Sequence, residues 1–352
     1  MRKIIFPILL FYIGGFLSCS KTTSSVSVTN QPNPLNVYVA GFREANGANG
    51  NVDTATYWKN GAPIALTNGT NNAHASSIIL SGSNIYVTGD MFNGMNNAAV
   101  YWINGNLVSL TSGASDAYAS SVVVSGSDVY VGGYVFSGTG KYVAMYWENG
   151  NPFPVTDSTK NAYVYGITFS GSDLYLAGYG DKNANGFGNT VAMYWINDSA
   201  IVLTDGTSEA QATAIAVSGS DVYVVGFLYN GNNSQATLWK DGVASTLNDI
   251  TGSPATYASS IVISGTDVYI AGEGSSGALY WKDGTPTALP GSQAGASANG
   301  IAVSGSSVFV AGDIDVVQFA SDSAAFWNNG ALTTLNDGLK YCNASSIFVS
   351  TQ

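Results

Sequence analysis

The chain has 352 residues, a formal net charge of −11, 45% hydrophobic and 9% charged residues, and a single histidine. That apolar content can bury a sizeable core, and the length by itself suggests two domains. Arg43 is the only arginine after residue 19. The chain therefore lacks the basic surface that displaces counterions from phosphate backbones, which excludes nucleic acid as a partner.

In chain order the first element is not part of a fold. Arg2 and Lys3 precede an apolar run from Ile4 to Leu17, and Ser18-Cys19 follow. A charged start, an apolar stretch and a small residue before cysteine form a secretory pattern, and the run is short for a spanning helix. Phe16-Leu17-Ser18-Cys19 resembles the lipobox of bacterial lipoproteins. The resemblance implies a signal peptide over 1–18, lipidation of Cys19, and a mature protein attached to a membrane through that lipid. It implies a place in the cell envelope, at the outer membrane or cell surface of a Gram-negative bacterium. Residues 19–34 then read as the lipidated cysteine and a flexible, Ser/Thr/Pro-rich tether. With Cys19 modified, Cys342 is left alone, so no intrachain disulfide is expected and Cys342 reads as a small buried thiol.

From residue 35 onward the chain repeats itself. Seven tryptophans, Trp58, Trp102, Trp147, Trp195, Trp239, Trp281 and Trp327, stand 44, 45, 48, 44, 42 and 46 residues apart. Each follows an aromatic residue or leucine and precedes a turn such as Lys59-Asn60-Gly61 or Lys282-Asp283-Gly284. Each period breaks into four short apolar segments, here A, B, C and D. In the unit around Trp281 they are Ala258–Ile263, Asp267–Gly272, Ala278–Trp281 and Thr285–Leu289. They are rich in Val, Ile, Tyr and Trp and bounded by turn residues, which predicts strands. Asn-Gly or Asp-Gly between C and D suits a type I′ hairpin turn. Four strands in about 45 residues predict a propeller blade rather than a coil of a stacked solenoid.

The first repeat begins with a B strand at Asn36, and the last segment, Ala344–Val349, is an A strand with nothing after it. The two halves complement one another. The expectation is an all-β, seven-bladed β-propeller of four-stranded antiparallel blades over residues 35–352, its ring closed by the C-terminal strand. Ser125-Gly126-Ser127-Asp128-Val129-Tyr130-Val131 and its counterparts resemble the repeats of YVTN-type bacterial propellers. The Gly-His and Trp-Asp pairs of WD40 repeats are missing. The tryptophans and the B-strand aromatics read as packing between blades.

In such a meander the A–B and C–D turns share one end, and the longer, more variable B–C and D–A connections share the other. Variable loops on a rigid scaffold are the usual place for binding. Two aligned positions on that face carry candidate residues. Before strand A stand His74, Tyr118, Tyr163, Gln211, Tyr257, Ser297 and Asn343; after the B-strand glycine stand Phe42, Asp90, Tyr134, Tyr179, Phe227, Glu273 and Asp313. Stacking rings beside a few polar groups suit a glycan or an envelope protein as partner, and packing between blades competes as the role of each residue. Glu273 and Asp313, at equivalent positions of neighbouring blades, are the best pair for a carbohydrate-active enzyme, which needs two carboxylates roughly 5–9.5 Å apart. No catalytic constellation accompanies them, so a non-catalytic binding module is expected, with a structural envelope protein as a further alternative. No cofactor is expected beyond weak calcium. Asp181, Asn183, Asn185 and Asn189 space oxygen ligands in a way that resembles the calcium loops of EF-hands and integrin propellers, but the low ligand charge favours a plain Asn/Gly loop.

Overall fold

The computed structural model describes residues 35–47, 50–183, 189–231, 233–316, 321–335 and 341–351. Residues 1–34, where the signal peptide, Cys19 and the tether are expected, lie outside the described residues. Residues 35–352 form one compact unit. In it, 28 strands among the described residues make seven four-stranded antiparallel sheets. Six sheets are consecutive A-B-C-D meanders. The seventh pairs the last strand, Cys342–Thr351, with the first, Leu35–Gly47. The expected closure is therefore present, and this strand also packs against the A strands of blades 7 and 2 on either side. The length suggested two domains, but a ring has no place to divide.

The C–D turns show why the repeat keeps Asn or Asp before Gly. Asn60, Asn104, Asn149, Asn197, Asp241, Asp283 and Asn329 all have φ between 46° and 52°. The next residue is a glycine with positive φ in six blades and Asp198, at φ 69°, in blade 4. Each side-chain Oδ1 also accepts a backbone N–H near the start of strand B, as Asn60 does from Val37 at 2.8 Å and Asp241 from Val222 at 2.8 Å. A short polar side chain that tolerates left-handed backbone serves both needs. The asparagine amide then donates to the B-strand start, as Asn149 does to Asp128 at 2.9 Å. An aspartate in blades 5 and 6 cannot donate. There Lys240 and Lys282 bind Asp221 and Asp267 instead, at 2.8 and 2.7 Å.

The core is a circle of seven clusters, one at each junction between blades. Every tryptophan is at most 1% exposed. Trp327 packs on Ala271, Ala278 and Leu289 of the preceding blade, and Trp58 packs on Phe309, Ala311 and Phe326, which closes the circle. A buried ring of this size contributes roughly 4–6 kcal/mol of gross transfer free energy before ordering costs. Strand D is short and exposed on the outer rim, as at Ala62–Ala65 and Val243–Thr246. Cys342 is fully buried in the cluster that joins blades 7 and 1.

One feature of strand A is absent from the simple meander. In every blade the A–B register slips by one residue. The skipped residues are Ser76, Ser120, Tyr165, Thr213, Ser259, Asn299 and Ser345. Opposite each slip stands the B-strand glycine. A side chain on Gly89 would collide with the carbonyl oxygen of His74, and one on Gly178 with that of Tyr163. The bulge presses the A-strand backbone against strand B, and only glycine leaves room for it.

Candidate functional site

The seven bulge residues come together at the axis. They line a central cavity of about 230 Å³, with all seven A strands contributing. Strand A is therefore innermost. Four serines, Thr213, Tyr165 and Asn299 form a neutral polar ring. Thr213 and Asn299 also tie neighbouring A strands, donating to the carbonyls of Ala258 at 2.8 Å and Ala344 at 2.9 Å.

Two residues before each bulge along strand A lie His74, Tyr118, Tyr163, Gln211, Tyr257, Ser297 and Asn343. They stand inside the strands rather than before them. Each pairs directly with the residue after the B-strand glycine: His74 with Asp90, Tyr118 with Tyr134, Tyr163 with Tyr179, Gln211 with Phe227, Tyr257 with Glu273, Ser297 with Asp313 and Asn343 with Phe42. The two candidate rows are one row of cross-strand pairs. Most of them reach across to the next blade, and the chemistry differs at each junction.

At the junction of blades 1 and 2, His74 lies between two carboxylates, with Nε2 3.2 Å from Asp53 and Nδ1 3.2 Å from Asp90. Phe42 packs edge-on against the ring at 4.7 Å. Burial opposes charge on the imidazole, but the hydrogen bonds and charges of Asp53 and Asp90 outweigh it and raise the pKa to about 9. His74 is therefore an imidazolium at neutral pH, donating from both nitrogens. Asp53, from strand C of blade 1, was not a candidate in the sequence; its only signal there is that it does not recur with the period.

At the junction of blades 7 and 1, Asp313 holds the closing strand. Its carboxylate accepts from the amide of Asn343 at 2.6 Å, the amide of Asn299 at 2.9 Å, the hydroxyl of Ser297 at 3.3 Å and the backbone N–H of Ala344 at 2.9 Å. Glu273 differs. It is half-buried, burial raises its pKa, and no hydrogen bond or ion pair holds it among the described residues. The two carboxylates thus have opposite environments.

Blades 3 and 4 carry an aromatic cluster. Tyr134 meets Tyr118 at 5.0 Å, Tyr163 at 4.9 Å, Tyr142 at 5.5 Å and Tyr165 at 5.9 Å. Tyr179 stacks on Tyr163 at 4.8 Å and on Tyr165 at 5.7 Å. Phe136 extends the cluster outward through Tyr142 at 5.1 Å. It runs from the central cavity, through Tyr165, to the exposed Phe136. Burial raises the pKa of Tyr118, Tyr134, Tyr142 and Tyr179, and burial with the nearby Asp181 pushes Tyr163 to about 12. Every one is a neutral phenol at physiological pH. Blades 5 and 6 repeat the theme on a smaller scale: Phe227 packs on Tyr257 at 4.8 Å, and the Tyr229 and Tyr257 hydroxyls lie 3.3 Å apart.

Of the calcium candidates, Asn185 lies outside the described residues. Asp181 accepts from the Asn161 amide at 2.8 Å, and Asn189 donates to the carbonyls of Gly206 and Thr207 at 3.3 and 2.8 Å. Among the described residues no cluster of three or more His, Cys, Asp or Glu is placed to hold a metal.

No protein-family model matches the sequence, and no curated protein matches it. Solved structures do resemble it in fold. A Pyrococcus horikoshii acylaminoacyl peptidase is 11% identical with a TM-score of 0.50, over 86% of this chain and 50% of that one. A Mycobacterium tuberculosis puromycin-hydrolyzing peptidase is 11% identical with a TM-score of 0.45, over 75% and 52%. The computationally designed Ika8 protein is 15% identical with a TM-score of 0.45, over 88% and 90%. The chain spans about half the length of the two peptidases. At these identities the likeness is one of fold alone.

Proposed function

We propose that this chain is a non-catalytic binding module that holds a polar ligand, a glycan or a protein, on the tyrosine-rich sector of its B–C/D–A face. The continuous cluster from Tyr165 to Phe136 carries this reading. Ring faces stack on the C–H faces of sugars or on apolar side chains, and neutral phenol hydroxyls donate and accept at the edges. The junctions on either side of the ring closure are held by Asp53–His74–Asp90 and by Asp313, so the tyrosines stand on a scaffold that does not need them for closure. Lipidation at Cys19, membrane attachment and a cell-envelope location belong to the same proposal and rest on the pattern of residues 1–34.

A glycan array read with the wild type, Tyr142→Ala and Tyr163→Ala tests the proposal. Binding that falls at least tenfold in both variants supports it; binding unchanged in both sinks it. A carbohydrate-active enzyme is the second reading, favoured only by the raised pKa of Glu273, which suits a general acid. Asp313 argues against its partner role, because donors saturate that carboxylate. Release of reducing sugar that Glu273→Gln abolishes would replace the first reading with the second.

A further inference from the structure

In blades 6 and 7 the chain caps its own tryptophans. The indole N–H of Trp281 donates to the carbonyl of Asn248 at 2.6 Å, and that of Trp327 to the carbonyl of Pro290 at 2.8 Å. Both carbonyls belong to the residue after the leucine that follows strand D of the preceding blade, Leu247 and Leu289. In blades 2 and 3 that residue is a threonine. Thr111 and Thr156 turn back on their own blades and accept the N–H of Ala99 and Ala144 at 3.1 and 3.2 Å. Beside the tryptophans that follow lie cavities, about 320 Å³ at Trp147 and about 580 Å³ at Trp195. The N–H of Trp147 is buried without an acceptor. Leaving a fully buried donor such as this unsatisfied costs roughly 1–3 kcal/mol. The indole N–H of Trp195 also makes no hydrogen bond among the described residues, but it is not fully enclosed and borders the cavity.

The two cavities are the same groove at successive junctions. Val143 and Met145 line the first, and Val191 and Met193 line the second at the same register. The second is larger because Gly180 replaces Val135 and Ala200 replaces Pro152. Its volume lies in the range of about 300–1,000 Å³ typical of ligand sites. Asp157, Asp181, Asp198 and Asp205 line it against only Lys160 and Lys182. Asp157 and Asp205 each fix one oxygen on the following threonine and leave the other open, and the Lys160 ammonium is held by the carbonyl of Lys182.

We propose that the cavity between blades 3 and 4 binds a basic, apolar polypeptide segment of a partner. An apolar side chain enters the cavity, a backbone carbonyl accepts from the Trp195 indole, and a flanking lysine or arginine meets the aspartates. The chain supplies the template: its own Leu289-Pro290 turn makes this contact with Trp327 at the junction of blades 6 and 7. The excess of carboxylates selects a basic segment over an acidic one. No tyrosine of the cluster lines this cavity, although Asp181 borders both.

Calorimetric titration of the full chain with acetyl-Lys-Leu-Pro-Lys-amide tests the proposal, with the Glu-Leu-Pro-Glu peptide as the charge control. Binding of the basic peptide alone is expected. It should weaken about five- to tenfold in Trp195→Phe, which keeps a ring and removes one hydrogen bond. It should also weaken in Asp198→Gly, which gives blade 4 the turn of its neighbours and so keeps the fold even if Trp195→Phe does not. Val243→Ala, on the exposed strand D of blade 5, should bind the peptide like the wild type. No heat of binding at millimolar peptide, equal binding of the acidic peptide, or full binding by folded Asp198→Gly overturns the proposal.

Discussion

His74 offers the sharpest test of the electrostatics at the blade junctions. It is the only histidine, so its imidazole signals in NMR need no assignment. Asp53 and Asp90 raise its pKa from 6.5 to about 9 in the folded state. A group whose folded pKa is raised contributes stability that is fully present below the unfolded value, about 6.5, and is lost as pH rises through about 9. A rise of this size corresponds to at most ~3.4 kcal/mol at about 1.36 kcal/mol per unit. The His74 side chain is 36% exposed and Asp53 27%, so solvent screening reduces this to about 1–2 kcal/mol. The stability difference between wild type and His74→Gln should therefore shrink by about 1–2 kcal/mol between pH 6 and pH 10. Comparing the two proteins at each pH cancels the titration of tyrosines and lysines that both contain. Asp53→Asn should lower the imidazole pKa measured by NMR. An imidazole that titrates near 6.5 in the folded wild type, or a difference from His74→Gln that does not change with pH, would refute the two-carboxylate account.

Asp313→Ala removes four hydrogen bonds to a carboxylate, two of them reaching the closing strand, and should lower unfolding free energy by about 3–5 kcal/mol in urea titrations; a loss below 1 kcal/mol would mean that closure rests on apolar packing alone. Truncation after residue 341 removes the closing strand and should yield aggregated protein in size-exclusion chromatography, because it exposes the edge of the Leu35–Gly47 strand. Gly89→Ala forces the A-strand carbonyl of His74 away and should cost about 2–4 kcal/mol or prevent folding, whereas Gly61→Ala, with open space around it, should cost only the roughly 1–2 kcal/mol of left-handed backbone. Asp198→Gly relieves the one non-glycine at the second turn position and should raise stability by about 0.5–1 kcal/mol in the same titration.

The fold was legible because each of its signals is local chemistry that recurs. Asn or Asp before Gly makes a left-handed turn wherever it falls, and Tyr-Trp in a short apolar run makes a buried strand. Even the ring closure could be read, since Asn36 begins at strand B and Ala344–Val349 supplies the missing strand A. The repeated B-strand glycine is visible in the sequence, but a glycine signals close approach without saying what approaches. The candidate rows can be lined up from the repeat, but their pairing depends on the one-residue slip. Without it, Tyr118 and Tyr134 are merely residues 16 apart in the chain. The rest was decided between blades. Asp53 meets His74, Asp313 meets Asn343, and Trp195 meets the space left by Thr156 only when consecutive sheets pack face to face. That packing sets contacts by position around the ring, and positions on different blades carry no mark in the sequence of which neighbour they will touch.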